Sequence, residues 1–219
     1  HVEVLGNLKI DAPPPVVDAA ALEALGRALA GRPVFVAAST HDPEEQTIRD
    51  AHAIAASRIP GLCTIVAPRH PDRGKAIADM VAAKGFNVRR RSLGELPDRA
   101  TDIYIADTIG ELGTLYALTK VAFVGGSLIP RGGQNPIEAI GHGAAVLTGP
   151  HWTNFRDFYR ALIRHKAVRE VKSPAEIADA VEALLLDDKA LDTVRKCAGA
   201  ALASLAGALD RTVAALADL

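Results

Sequence analysis

From residue 33 to residue 187, short apolar runs alternate with stretches that carry a helical stripe. No other feature of the chain constrains its fold as much. "PVFVAAS" (33–39) and "LCTIVAP" (62–68) are continuously apolar, as strands buried on both faces are. Between them, "DPEEQTIRDAHAIAASRI" (42–59) reads as a helix with Asp42 as N-cap, Pro43 at the first helical position and glutamates in the first turn. Ile48, Ala51, Ala55 and Ile59 supply its apolar stripe. The unit repeats: a helix over 71–85 closed by Gly85, a short edge strand at "NVRRR", and a strand over 102–107. Then "GELGTLYALT", "KVAFVGG", "NPIEAIGHG", "AAVLTGP", "TNFRDFYRALIRHK" and "AVREV" continue as helix and strand in turn, before helices over 174–187 and 189–218. This alternation predicts an α/β fold, a Rossmann-like doubly wound parallel sheet with crossover helices.

Residues 1–32 hold a weak strand ("VEVLG"), an extended proline segment at Pro13–Pro15 and a helix, and read as a linker leading into the sheet domain of 33–188. Residues 189–219 read as the last helix of that domain. The chain has 219 residues, 49% of them apolar, enough to bury a full core. A net charge of −1 argues against a general nucleic-acid binder. The basic cluster "VRRR" (88–91) reads as a solvated strand end. Cys63 and Cys197 lie far apart and read as free thiols, and the scattered histidines give no metal-ligand spacing. No signal peptide and no apolar span of about 18 residues is expected. The opening "HVEVLGNLKID" looks like an interior stretch of a longer protein.

In such sheets ligands bind outside the carboxyl ends of the strands. That rule selects the loops "STHDPEE", "PRHPDR", "DTIGELG", "GGSLIPRGGQN" and "GPHWTNF". Arg69 and His70 precede a helix that Pro71 opens, and cations there oppose the helix dipole. An anion bridging Arg69 and the helix N–H groups resolves the conflict, and an ion pair with Asp72 is the structural alternative. For His70 the alternative is N-capping. Asn135-Pro136 is a strong helix start, with Glu138 at the capping-box position. Glu138 either caps its own helix or accepts hydrogen bonds from a vicinal diol such as a ribose. Gly125, Gly126, Gly132 and Gly133 either make turns or let the backbone approach an anion. Ser39 and Thr40 can bond a phosphate or sugar, or cap and turn. His41 can donate to a carboxylate or phosphate, or be structural. Asp107, Thr108, Gly110 and Glu111 fill a further loop, in which Glu111 suits a helix start and the main chain can hold a nucleobase edge. Dinucleotide, P-loop and nucleophile-elbow signatures are all absent, which leaves a nucleotide held by several loops.

"GNLKID", "STHDPEE", "APRHPDR" and "DTIGELGTLYALTKVAFVGGSLIPRGGQNPIEAIGHGAAVLTGPHWTNF" resemble the C-terminal half of the Kdo (3-deoxy-D-manno-oct-2-ulosonic acid) transferases of lipopolysaccharide synthesis. The resemblance implies one half of a two-domain GT-B glycosyltransferase. It implies a CMP-Kdo donor, a lipid A precursor as acceptor, inversion at the anomeric centre, and a place at the cytoplasmic face of the bacterial inner membrane. The catalytic carboxylate and the membrane-associating segment belong to the family's N-terminal domain. By resemblance, then, 1–32 leads in from that domain, 33–188 binds the nucleotide sugar, and this stretch holds no catalytic residue and does not turn over alone. Arg69, with His70 beside it, would contact the CMP phosphate with help from Gly126 and Ser127. Glu138 would hold the ribose hydroxyls, with Asn135, Gly132 and Gly133 near the phosphate and Kdo. Ile109, Gly110, Glu111 and Leu112 would face cytosine, and Ser39, Thr40 and His41 would border the sugar. No cofactor, metal or nucleic acid is implied. The rival readings are the donor domain of a UDP-sugar glycosyltransferase or epimerase, and a non-catalytic module that binds an anion or a partner.

Overall fold

The structure, a computed structural model, describes residue 8 and residues 11–217. The strand expected at 2–6 and most of "GNLKID" lie outside the described residues. A single sheet of seven parallel strands runs through the domain in the order β3-β4-β2-β1-β5-β6-β7. The strands are β1 (Val34–Thr40), β2 (Cys63–Pro68), β3 (Val88–Arg90), β4 (Ile103–Ile105), β5 (Val121–Val124), β6 (Ala145–Thr148) and β7 (Val168–Glu170). The chain moves outward from β1 through β2 to β4 and then returns to place β5 on the other side of β1. The order reverses between β1 and β5, the position where such sheets open a crevice at their carboxyl edge.

The five inner strands β4, β2, β1, β5 and β6 are buried at every residue but Ser39, because helices cover both faces. On one face α2 (Glu44–Ala56), α3 (Gly74–Ala82) and α7 (Pro174–Leu186) pack Ile48, Ile77, Ile177 and Val181 against Phe35, Ile103 and Phe123. On the other, α1 (Ala19–Leu29), α4 (Leu112–Ala117) and α5 (Ile137–Gly141) pack Leu25, Leu29, Leu115, Tyr116 and Ala139 against Val36, Ile65 and Val146. Asp18 caps α1, accepting from the N–H groups of Ala20 and Ala21 at 2.9 and 3.0 Å. The segment before it is laid down firmly. Gly113 leaves room for the Pro15 and Val16 carbonyls, which a Cβ would meet at 2.7 and 2.5 Å, and a His142 ring nitrogen lies 2.9 Å from the Pro15 oxygen.

Three element expectations change. Asp42 does not cap α2, which begins at Glu44; its carboxylate instead lies 3.6 Å from Arg73. The helix over 71–85 opens as a 3-10 turn at Pro71–Arg73 before α3, and His70 makes no side-chain cap. The single helix over 189–218 is two, α8 (Asp188–Ala203) and α9 (Ala208–Ala217), broken where Gly207 takes φ +86°. Among the described residues, the stretch Asp188–Ala217 is the one long and apolar enough by length and composition to cross a membrane, with a mean hydropathy of 1.3 over 18 residues. The sequence expectation was that the chain holds no such span. Helix α6 (Arg156–Arg164) packs beside α8 through Leu162, Ala198 and Ala201.

Candidate functional site

Because every strand is parallel, the loops after β1, β2, β4, β5 and β6 all meet at one sheet edge. Those after β1, β2, β4 and β5 line a cleft of about 490 Å³. Its floor is Ala67, Ala106, Leu115 and Tyr116; its walls carry Arg69 and His70, the 108–112 loop, and Gln134, Asn135 and Glu138. Ser39 enters from β1, with a left-handed φ of +54° where the pairing with β2 slips by a residue.

Nine of the fifteen residues assigned to donor binding meet in this cleft: Ser39, Arg69, His70, Ile109, Gly110, Glu111, Leu112, Asn135 and Glu138. Arg69 is exposed and makes no ion pair among the described residues, so the alternative pairing with Asp72 does not form. Glu138 is half-buried and takes a hydrogen bond from the Asn135 side-chain amide at 3.0 Å, while Asn135 Oδ1 accepts from the Ile137 N–H at 3.1 Å. Asn135 therefore supplies the bond at the start of α5, and Glu138 Oε2 accepts no hydrogen bond among the described residues. Ile109 is 87% exposed and ready to be covered.

The other six do not line it. Thr40 is buried and donates to Glu45 at 3.1 Å. Ser127 is wholly buried, donating to the Val124 carbonyl at 2.6 Å and accepting from Gly149 N–H at 2.8 Å. The N–H groups of Gly126 and Ser127, expected to help hold a phosphate, are already engaged by the Glu44 carboxylate. Oε2 accepts from His41 and Gly126 at 2.9 and 2.7 Å, and Oε1 from Ser127 and Leu128 at 2.9 Å each. Burial pushes the Glu44 pKa up and these four bonds pull against it, with burial prevailing. The protein's own carboxylate thus fills the anion nest at the β1/β5 switch point and staples the two loops together. Gly125 makes that contact possible, since a Cβ there would lie 2.4 Å from the Ser39 carbonyl.

Gly132 and Gly133 pack under the loop after β6. Asn154 donates to the Arg131 and Gly133 carbonyls at 3.0 and 3.3 Å, and the Gly133 N–H is bonded to Gly126 at 2.8 Å. Neither glycine lines the cleft. His41 sits behind His70, ring centroids 5.6 Å apart, with Nε2 enclosed and without a partner among the described residues. Burial first, then the charges of His70, Arg131, Arg69 and Arg73, lower its pKa.

The 88–91 cluster is not a solvated strand end. Arg90 donates to Asp107 at 2.7 and 3.0 Å, and Ser92 adds its N–H and hydroxyl at 2.9 and 2.8 Å. Burial raises the Asp107 pKa, but the Ser92 and Arg90 bonds outweigh it and hold it below the usual carboxylate range. Arg91 forks onto Glu111, at 2.7 Å for its shortest contact, and Thr108 also donates to Glu111. The Arg91 bond leads the causes that depress the Glu111 pKa. The Glu111 side chain is thus committed to the loop, whose main chain faces the cleft. Sequence reasoning missed Glu44, Asn154, Gln134, Tyr116 and Arg131, none of which stands out from ordinary helix-start, turn or core residues. Among the described residues no group of three or more His, Cys, Asp or Glu side chains is placed to hold a metal ion.

No protein-family model matches the chain. The 3-deoxy-D-manno-octulosonic acid transferase of Haemophilus influenzae is 38% identical over 181 residues, 82% of this chain and 42% of that protein. The enzyme of the same name from Bordetella pertussis is 36% identical over 219 residues, 98% of this chain and 51% of that protein. The chain therefore spans about half, or somewhat less, of these curated relatives. The crystal structure of the C-terminal CMP-Kdo binding domain of WaaA from Acinetobacter baumannii superposes with a TM-score of 0.79 at 33% identity, covering 84% of this chain and 96% of that one. A parallel sheet wound as a GT-B half-domain, sequence identity above 30%, and near-complete coverage of that domain agree: the chain belongs to the 3-deoxy-D-manno-octulosonic acid (Kdo) transferase family and corresponds to its C-terminal domain.

Proposed function

We propose that the cleft binds CMP-Kdo, as the donor half of an inverting glycosyltransferase that transfers Kdo to a lipid A precursor in lipopolysaccharide biosynthesis. The observation that carries this reading is the convergence on one cleft of an unpaired arginine, a carboxylate with a free oxygen and an exposed loop main chain: Arg69, Glu138 and 109–112. Each suits one part of a nucleoside monophosphate. Arg69 pairs with the phosphate, aided by its neighbour His70. Glu138 Oε2 accepts from the ribose hydroxyls, with Asn135 fixing its rotamer. The 109–112 main chain meets the cytosine edge, and the Ile109 side chain covers the ring.

As the bond from Kdo to the phosphate oxygen breaks, the sugar centre becomes oxocarbenium-like and the phosphate gains charge. Arg69 stabilises that charge in place, which lowers the barrier. Inversion requires a base on the opposite face of the sugar. We assign that base, the acceptor site and membrane attachment to the half of the protein that lies outside the stretch matched here. This chain then binds donor without turning it over, and the whole protein works where its lipid acceptor lies, at the cytoplasmic face of the bacterial inner membrane.

Thermal unfolding with added nucleotides tests the reading. CMP at a hundred times its Kd is expected to add about 2.7 kcal/mol of stability. Stabilisation by UMP or UDP but not by CMP would overturn it in favour of a UDP-sugar enzyme. Glu138→Gln is expected to weaken CMP by about tenfold while costing about 1 kcal/mol or less in stability. Equal losses in both would leave Glu138 only its structural bond to Asn135.

A further inference from the structure

The basic side chains at the β1/β5 edge exceed the anions that the protein itself offers them. Arg73 is engaged, 2.7 Å from Glu45. Arg69 and Arg131 are exposed, and neither makes an ion pair among the described residues. Arg131 is not isolated from the cleft. A Cβ on Gly126 would lie 3.4 Å from His41 Cδ2, 3.5 Å from Gln134 Nε2 and 3.6 Å from Arg131 Cβ, so three side chains gather over that one glycine. Gln134 lines the cleft, and so does His70, which meets the His41 ring edge-on. His41 Nε2 is enclosed with no partner among the described residues, and a buried polar atom left so awaits a ligand or a water.

The geometry points to a second anion subsite, built from Arg131 and His41 beside the phosphate-facing Arg69, that takes the carboxylate of an acidic sugar. This inference rests on the reading of the cleft as a CMP-sugar site. The donor that reading names carries two single negative charges, one on the phosphodiester and one on the sugar carboxylate, and the edge holds two unpaired arginines to match. The competing source of a second anion is the outer phosphate of a nucleoside diphosphate. Such a group needs several converging N–H donors, and the nest that would supply them, at 126–128, is filled by Glu44. What remains is a planar guanidinium fork and one imidazole N–H. That donor set satisfies the two oxygens of a carboxylate.

The test is calorimetric titration of the 219-residue chain with four probes: CMP, CDP, a hydrolytically stable phosphonate isostere of CMP-Kdo, and the methyl ester of that isostere at the sugar carboxylate. The free acid should bind tighter than its ester by about tenfold to a hundredfold, the worth of a charge-assisted hydrogen bond. Arg131→Ala should remove that difference and leave CMP affinity within about twofold, since an exposed side chain away from the phosphate is all that is lost. CDP should bind no tighter than CMP. Acid and ester binding alike to the unaltered chain would overturn the subsite without any variant. So would an Arg131→Ala loss as large for CMP as for the acid, or a CDP gain over CMP that Arg131→Ala erases. If CMP binds and these criteria fail, the subsite alone falls. If the unaltered chain takes neither CMP nor the acid, the cleft reading falls and the subsite with it.

Discussion

Glu44 decides the shape of the sheet edge. It is 1% exposed, and each of its oxygens receives two backbone N–H groups. Glu44→Gln therefore cannot be absorbed by rotating the amide, because in either orientation the new NH2 group faces two N–H donors. The expected cost is about 3 kcal/mol, from buried donors left without acceptors. Urea unfolding measures it, and a loss under about 1 kcal/mol would mean that the loops are held by something else. Nothing in the sequence separates this residue from its neighbour. Glu44 and Glu45 both read as first-turn glutamates that suit the helix dipole, and both prove buried, one on a nest and one on Thr40 and Arg73. Glu138 was legible because Asn-Pro-x-Glu is a local pattern. Glu44 was not, because three of its four partners lie more than eighty residues away. Local sequence shows which groups can bond and does not show which distant main chain will reach them.

At the scale of elements, the strands were readable because each is a continuous apolar run, and their helices because of the stripe between them. Helix starts were less so: α2 begins one residue late, at Glu44, with no side-chain cap, and that residue's carboxylate is bonded to the β5 loop. The edge strand β3 was placed correctly and its charge misjudged. Arg90 and Arg91 reach across to the loop that follows β4, and their fixed carboxylate partners shape the main chain of 108–112. Asp107 is the joint, where β3, the turn at Ser92 and the first residue of α3 meet. Its side chain is 0% exposed, and a Cβ on Gly74 would lie 2.0 Å from its Oδ2. Asp107→Ala should cost about 3 kcal/mol, since Arg90 keeps its charge in a mostly enclosed place with no partner. The paired measurement is CMP affinity, which should also fall as the 108–112 loop loosens. A variant that loses stability and binds CMP as before would show that the loop holds its shape without Asp107.

The whole molecule follows from one topological fact, a reversal of strand order at β1/β5 with all strands parallel. The alternation of elements predicted that all loops with candidate residues share an edge. It did not predict that the crevice at the reversal would be stapled shut by Glu44, which moves the open cleft toward β2, β4 and the start of α5. The same two-faced burial that makes the sheet legible also traps titratable groups beneath it, and one of them ties global stability to pH. His52 of α2 is 1% exposed, with Nδ1 2.9 Å from the Thr64 hydroxyl, its ring edge-on to Phe86 at 5.3 Å, and Nε2 without a partner among the described residues. Burial lowers its pKa to about 4, with Asp102 opposing slightly and Arg32 adding a little. The unfolded chain protonates this imidazole near pH 6.5 and the folded one only near pH 4, so between those values the unfolded state binds the extra proton. Its contribution is complete above pH 6.5 and is lost as pH falls toward 4, for a total of about 3 kcal/mol. Glu44, whose pKa is raised, acts with the opposite sign, and Asp107, whose pKa is lowered, loses its contribution at lower pH still, so the slope of the unaltered protein alone is ambiguous. His52→Asn keeps a partner for Thr64 and removes the proton. Urea unfolding of both proteins at pH 7, 5.5 and 4.5 should show the unaltered protein ahead at pH 7 by a margin that shrinks steadily with acid, by close to one proton's slope, about 1.4 kcal/mol per pH unit. A margin that stays constant across that range would mean that the imidazole is protonated or solvated in the native state, and that the face of the sheet beneath α2 is not closed to water.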